Sequence, residues 1–142
     1  MGNIVCATRG GEDSRRTQER AIELARTRAD ALTFIFVADT TFTPPTRQAL
    51  TEVVADELAR LGGMLLAIAQ ARAREQGVEA GAVVRSGAVC PTLAAFLAEV
   101  KATTLVMGVP HGHAPSRTSS PDEVQAFGDD VRAMGIEVVI VE

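Results

Sequence analysis

The residues best placed to do chemistry lie where a buried-strand pattern, Leu105-Val106-Met107-Gly108, runs into the loop Val109-Pro110-His111-Gly112, which leads on to a helix start at Ser120. In open α/β sheets ligands bind where strands end and helices begin, because the unpaired N–H groups of a helix start point into that crevice. Ser120-Pro121-Asp122-Glu123 reads as a start that is already satisfied, with Ser120 as N-cap, Pro121 at the first helical position and Glu123 closing a capping box. Pro121 has no N–H to give. The two carboxylates complement the positive helix end, worth ~0.3–1 kcal/mol each. A polyphosphate brought there meets repulsion in place of donors, so this segment reads as an ordinary capped helix.

Arg9 ends the first strand and reads as a solvated arginine at a loop mouth; an anion held jointly with Arg117 is the other reading. His111 and His113 flank Gly112, and a His-x-His pair chelates a metal only with a third ligand. Asp39 is the one candidate, and no spacing supports it, so the histidines read as polar lining and no metal is expected. Either would suit a general base, but there is no G-x-S-x-G nucleophile motif and no Walker loop. No catalytic residue is assigned. Cys6 and Cys90 form neither a CxxC pair nor a metal spacing. Both read as inert thiols, Cys6 inside a strand and Cys90 before Pro91 at a helix start.

These residues need a frame, and the apolar periodicity supplies one. Strands are expected at Asn3–Thr8, Leu32–Ala38, Val78–Arg85, Thr103–Met107 and Ile136–Val141. Between them fall helices over Ser14–Arg28, Thr46–Gln76 with a bend at Gly62-Gly63, Pro91–Val100 and Ser120–Met134. Strict alternation of strand and helix implies βαβ crossovers and an open five-stranded parallel sheet covered on both faces, with the last strand at an edge. No repeat or linker divides residues 1–142, so one domain is expected.

Composition excludes several classes. The 142 residues are 46% apolar and 23% charged, with a net charge of −4, no Trp and no Tyr. An acidic chain without stacking aromatics has no general attraction for nucleic acid. No apolar run reaches the ~20 residues of a spanning helix, and Met1–Cys6 lacks a signal peptide's basic region and long apolar core. No membrane association is expected, and the location is taken as cytoplasmic.

The whole layout resembles the universal stress protein family. Ile4-Val5-Cys6-Ala7-Thr8 with the turn Arg9–Ser14 is similar to the family's opening strand and first helix start, Val83–Pro91 to the entry into its third helix, and Leu105–Gly108 to its fourth strand ending in glycine. The resemblance implies an adenine-nucleotide-type α/β fold and, in ATP-binding members, the motif glycine, two residues, glycine, nine residues, then glycine and serine or threonine. Gly108 matches the first position; His111 stands at the second with Gly112 displaced by one, and Pro121-Asp122 stand at the last two. Arg9 also replaces an acidic residue that helps hold the nucleoside.

The expectation is therefore a cytoplasmic stress-response protein with weak or no ATP binding, acting through dimerisation and contacts with an unidentified protein partner. The alternative is a sensor in which ATP or AMP lies among Ala7, Arg9, Val37, Met107, Gly108, Gly112, Ser119 and Ser120; an enzyme acting on phosphates is a third reading. The apolar run Ile136–Val141, guarded by Glu137 and Glu142 alone, invites pairing at its edge. An antiparallel two-fold pairing of this strand closes the contact, and the resemblance implies the same homodimer.

Overall fold

The computed structural model describes residues 2–8, 12–38, 48–108 and 121–141. They form, in chain order, β1 (Asn3–Ala7), α1 (Glu12–Arg28), β2 (Ala31–Ala38), α2 (Gln48–Glu75), β3 (Ala80–Ser86), α3 (Val89–Glu99), β4 (Thr104–Gly108), α4 (Pro121–Ala133) and β5 (Glu137–Val141). The strands make one sheet in the order β3-β2-β1-β4-β5, parallel at every pairing. This is the α/β single-domain architecture that the alternation predicts, with β5 at an edge.

Successive strand residues point to opposite sides of a sheet, and here both sides are covered. Ile4, Cys6, Phe34, Phe36 and Val106 pack with α1 and α2 through Ala21, Ile22, Ala25, Leu66 and Ala69. Val5, Ile35, Leu105 and Met107 pack with α3 and α4 through Leu93, Leu97, Val124 and Val131. Central strands buried on both faces must be apolar at every position, which is why Leu105-Val106-Met107 reads as a continuous run.

The boundaries differ from expectation for local reasons. Thr8 falls outside β1, yet its N–H still donates to the Ile35 carbonyl at 2.9 Å. Helix α1 is described from Glu12, so Ser14 lies within it, where it is buried. Helix α3 opens at Val89, so Pro91 is its third residue; a first-turn N–H has no helical partner to lose. Cys90 accordingly lies within that turn. Val78 packs into the core before β3 begins at Ala80.

Helix α2 runs through Gly62-Gly63 as one element, Gln48–Glu75. The two glycines serve different purposes. A Cβ on Gly62 would lie 2.3 Å from the Phe36 ring, whereas one on Gly63 would meet nothing within 4 Å. Gly62 thus lets the helix sit directly on Phe36. Among the described residues no helix is long and apolar enough to cross a membrane.

Candidate functional site

The chain builds β1, β2 and β3 in one direction across the sheet, then returns to place β4 and β5 on the other side of β1. The β1/β4 boundary is therefore the topological switch point, and its crevice opens beyond the carboxyl ends of those strands. Cys6 pairs with Val106, so Ala7 and Met107 lie one step further along adjacent strands. On β2, Val37 lies two residues beyond the partner of Ala7.

Ala7, Val37 and Met107 share the sheet face covered by α3 and α4 and pack on the same apolar cluster. The structure thus brings these three expected site residues together. Gly108 belongs to the opposite side: a Cβ there would approach Thr17 Oγ1 of α1 to 2.6 Å. The glycine lets Thr17 of α1 lie close over the end of β4. Arg9, Gly112, Ser119 and Ser120 lie outside the described residues, as do Asp39, His111, His113 and Arg117. Helix α4 is described from Pro121 onward, and Ser120, the expected N-cap, lies outside the described residues.

Sequence reasoning missed a polar chain leading to this crevice. Arg72 Nη1 on α2 donates to Gln18 Oε1 at 2.7 Å, and Gln18 Nε2 donates to Thr8 Oγ1 at 2.8 Å. Thr8 and Gln18 are both buried. A guanidinium has donors only, so Arg72 fixes the orientation of the Gln18 amide, and Thr8 must accept from it. The Thr8 hydroxyl keeps its own hydrogen to donate at the end of β1. The available signal was Gln18 itself, one turn ahead of Ala21 and Ile22 on the apolar stripe of α1, where a buried amide demands partners.

The other described features near α1 point to structure. The groove between α1 and α2, about 520 Å³, includes Arg15, Arg26 and Arg72 with Glu19, Glu23 and Glu75, and these charges offset one another. Burial pushes the Cys6 thiol well above its ordinary range, as expected for an inert core cysteine. Among the described residues no three His, Cys, Asp or Glu side chains gather to hold a metal.

A parallel sheet of this order with its crevice at the β1/β4 switch defines a nucleotide-binding-like α/β protein. The sequence profile of the Universal stress protein family matches residues 1–120, and the chain belongs to that family. No curated protein matches it. Among solved structures it is similar to the universal stress protein UspA from Lactobacillus plantarum, at 14% identity and a TM-score of 0.81, covering 99% of this chain and 97% of that one. A universal stress protein in complex with cAMP is 24% identical, with a TM-score of 0.70 and coverage of 99% and 97%. A universal stress family protein from Arabidopsis thaliana with AMP bound is 15% identical, with a TM-score of 0.65 and coverage of 99% and 91%.

Proposed function

We propose that this universal stress protein is a cytoplasmic, non-catalytic stress-response protein that binds ATP weakly or not at all and acts as a homodimer through contacts with other proteins. The observation that carries the reading is the sequence Pro121-Asp122-Glu123 where the described part of α4 begins. Where the ATP-binding motif needs free N–H groups and a hydroxyl, this helix start has a residue without an N–H, followed by Asp122 and Glu123. Gly108, the matching glycine, also has a close packing partner in Thr17, which supports a structural role. The residues present do not suit a triphosphate, and no step is derived through one. With no lysine in a glycine-rich loop, a phosphotransfer role has no support either.

A second reading is favoured by the Thr8 hydroxyl, which accepts from Gln18 and whose own hydrogen meets no acceptor among the described residues. In it, a small adenine nucleotide lies among Ala7, Arg9, Val37, Met107, Gly108, Gly112, Ser119 and Ser120, as relatives described with cAMP and AMP suggest. Mass spectrometry of the purified, denatured protein separates the two. Sub-stoichiometric nucleotide is expected; one adenine nucleotide per chain would establish the second reading and overturn the first.

A further inference from the structure

The strand β3 forms the sheet edge opposite β5. It pairs with β2 alone, and Gly81 and Ala82 at its middle are exposed. An open edge presents a row of backbone N–H and C=O groups, which proteins guard with Pro, Lys, a bulge or a covering element. Ala80-Gly81-Ala82-Val83-Val84 has no Pro and no charge. Its charges stand at the two ends instead, Glu79 and Arg85, each three residues from Ala82. Both are exposed, and their even spacing puts them on one face of the strand.

We propose that β3 pairs antiparallel with β3 of a second copy of this chain, across a two-fold axis at Ala82. The end charges select that occupant. In this register Ala80 stands opposite Val84 of the second copy, Gly81 opposite Val83 and Glu79 opposite Arg85, each pair formed twice by symmetry. Axes at Gly81 or Val83 would set Glu79 opposite Val83 or Gly87 and form neither ion pair. Arg85 lies over the Phe96 ring and donates through Nη2 to Glu99 at 2.9 Å; a guanidinium has five N–H donors, enough for a second carboxylate. The neighbouring helix leaves room. Helix α2 packs on both β2 and β3, and Gln70 Nε2 donates from its β3 side to the Ala80 carbonyl at 2.8 Å. Gly63 lies about two turns before Gln70, hence on that same side, and a Cβ there would meet nothing within 4 Å. Ala59 and Ala67, one turn to either side, keep the flank small. A helix over the outer two strands comes about two strand spacings, ~10 Å, from its symmetry mate, a distance at which helices pack. The contact is small and therefore transient, and it is separate from the β5 edge.

The test is cross-linking with a short bismaleimide at tens of micromolar, in full-length protein carrying Cys90→Ser, since Cys6 is buried. Ala82→Cys is expected to give at least tenfold more covalent dimer than Ala98→Cys, an exposed control on α3. A yield equal to the control, including one caused by cover from elsewhere in the same chain or by another protein, would overturn the proposal. In the Ala82→Cys protein, Glu79→Arg and Arg85→Glu should each cut the product at least threefold, because each sets like charges opposite one another. Mixing the two variants restores both ion pairs in the mixed dimer, so the mixture should cross-link at least threefold faster than either variant alone. Equal rates for like and mixed chains would overturn the register. The Ala82→Cys product should persist in Val141→Lys, which alters the β5 edge. Its loss there would make the product a consequence of β5 pairing and overturn the β3 contact, whereas failure of the β5 dimer alone would leave it standing.

Discussion

Arg28 Nη1 donates to Glu137 Oε1 at 2.6 Å, and Nη2 reaches Oε2 at 3.4 Å, clamping the last turn of α1 to the first residue of β5 across 109 positions of sequence. Thr104 on β4 completes the cluster by donating to the same Oε1 at 3.2 Å. The bond from Arg28, more than its charge alone, holds the Glu137 carboxyl below its ordinary range. A depressed carboxylate contributes stability that is fully present above its unfolded value, about 4.3, and is lost as pH falls through the folded value.

The expected outcome is an acid-side effect. Glu137→Gln should lower the urea midpoint slightly at pH 7, because exposed pairs contribute little, and the gap to the parent should close as pH falls below about 4.3. Parallel pH dependence in variant and parent would refute this.

Gly62 and Gly63 should respond oppositely to the same change. Gly63→Ala adds a methyl in open space and improves helix propensity, so stability should rise by up to about 1 kcal/mol. Gly62→Ala gains the same propensity but drives a methyl into the buried Phe36 ring, a strain of about 1–3 kcal/mol. Denaturant unfolding of the two variants should therefore move in opposite directions.

This pair also shows how far the sequence could be read. A Gly-Gly inside a helical pattern signals a weak point, and only the packing of α2 on Phe36 reveals that one glycine is a close approach. The strands were legible because β1, β2 and β4 are buried on both faces and must be continuous apolar runs. Boundaries drifted where tertiary bonds extend or shorten an element, as at Thr8 and Val78. Ala7, Val37 and Met107 lie at neighbouring strand ends on one sheet face, because the strand ends of a switch point follow from topology. Gly108 has a packing partner, Thr17, that no local pattern announces. The Arg72–Gln18–Thr8 chain joins residues 54 and 10 positions apart, a relation that exists only in three dimensions.

Gln18 should tolerate one charged replacement better than an apolar one. Gln18→Leu removes both bonds and strands the buried Thr8 hydroxyl, a loss of about 1–3 kcal/mol. Gln18→Glu keeps an acceptor for Arg72, and Thr8 can turn its hydroxyl to donate to the carboxylate. Urea unfolding at pH 7 should rank the parent above Gln18→Glu, with Gln18→Leu lowest. A Gln18→Leu protein as stable as the parent would remove the chain from the account of the β1 end.

ATP should bind with a dissociation constant weaker than roughly 100 μM, equivalent to about −5.5 kcal/mol. The cause lies at the start of α4, so replacing Pro121-Asp122 by Gly-Ser should tighten binding measurably in isothermal titration. Low-micromolar affinity in the parent would contradict the proposed function. An unimproved Gly-Ser variant would move the cause to Arg9 or His111.

The strand β5 should form a two-fold contact with its counterpart in a second copy. It stands at one edge of the sheet, paired with β4 alone, and Val139, Ile140 and Val141 are only half-buried. An apolar, β-branched edge of this kind leaves a row of unpaired backbone groups that templates pairing, and a two-fold axis closes it without leaving a further open edge. Val139→Pro should remove a backbone donor and give monomer or aggregate. Because that change also threatens the pairing with β4, Val141→Lys is the cleaner probe: it exchanges a half-buried apolar side chain of the contact for a charged one while leaving every backbone donor in place. Light scattering should show a two-fold lower mass for Val141→Lys than for the parent at the same concentration. A monomeric parent at tens of micromolar would rule the contact out.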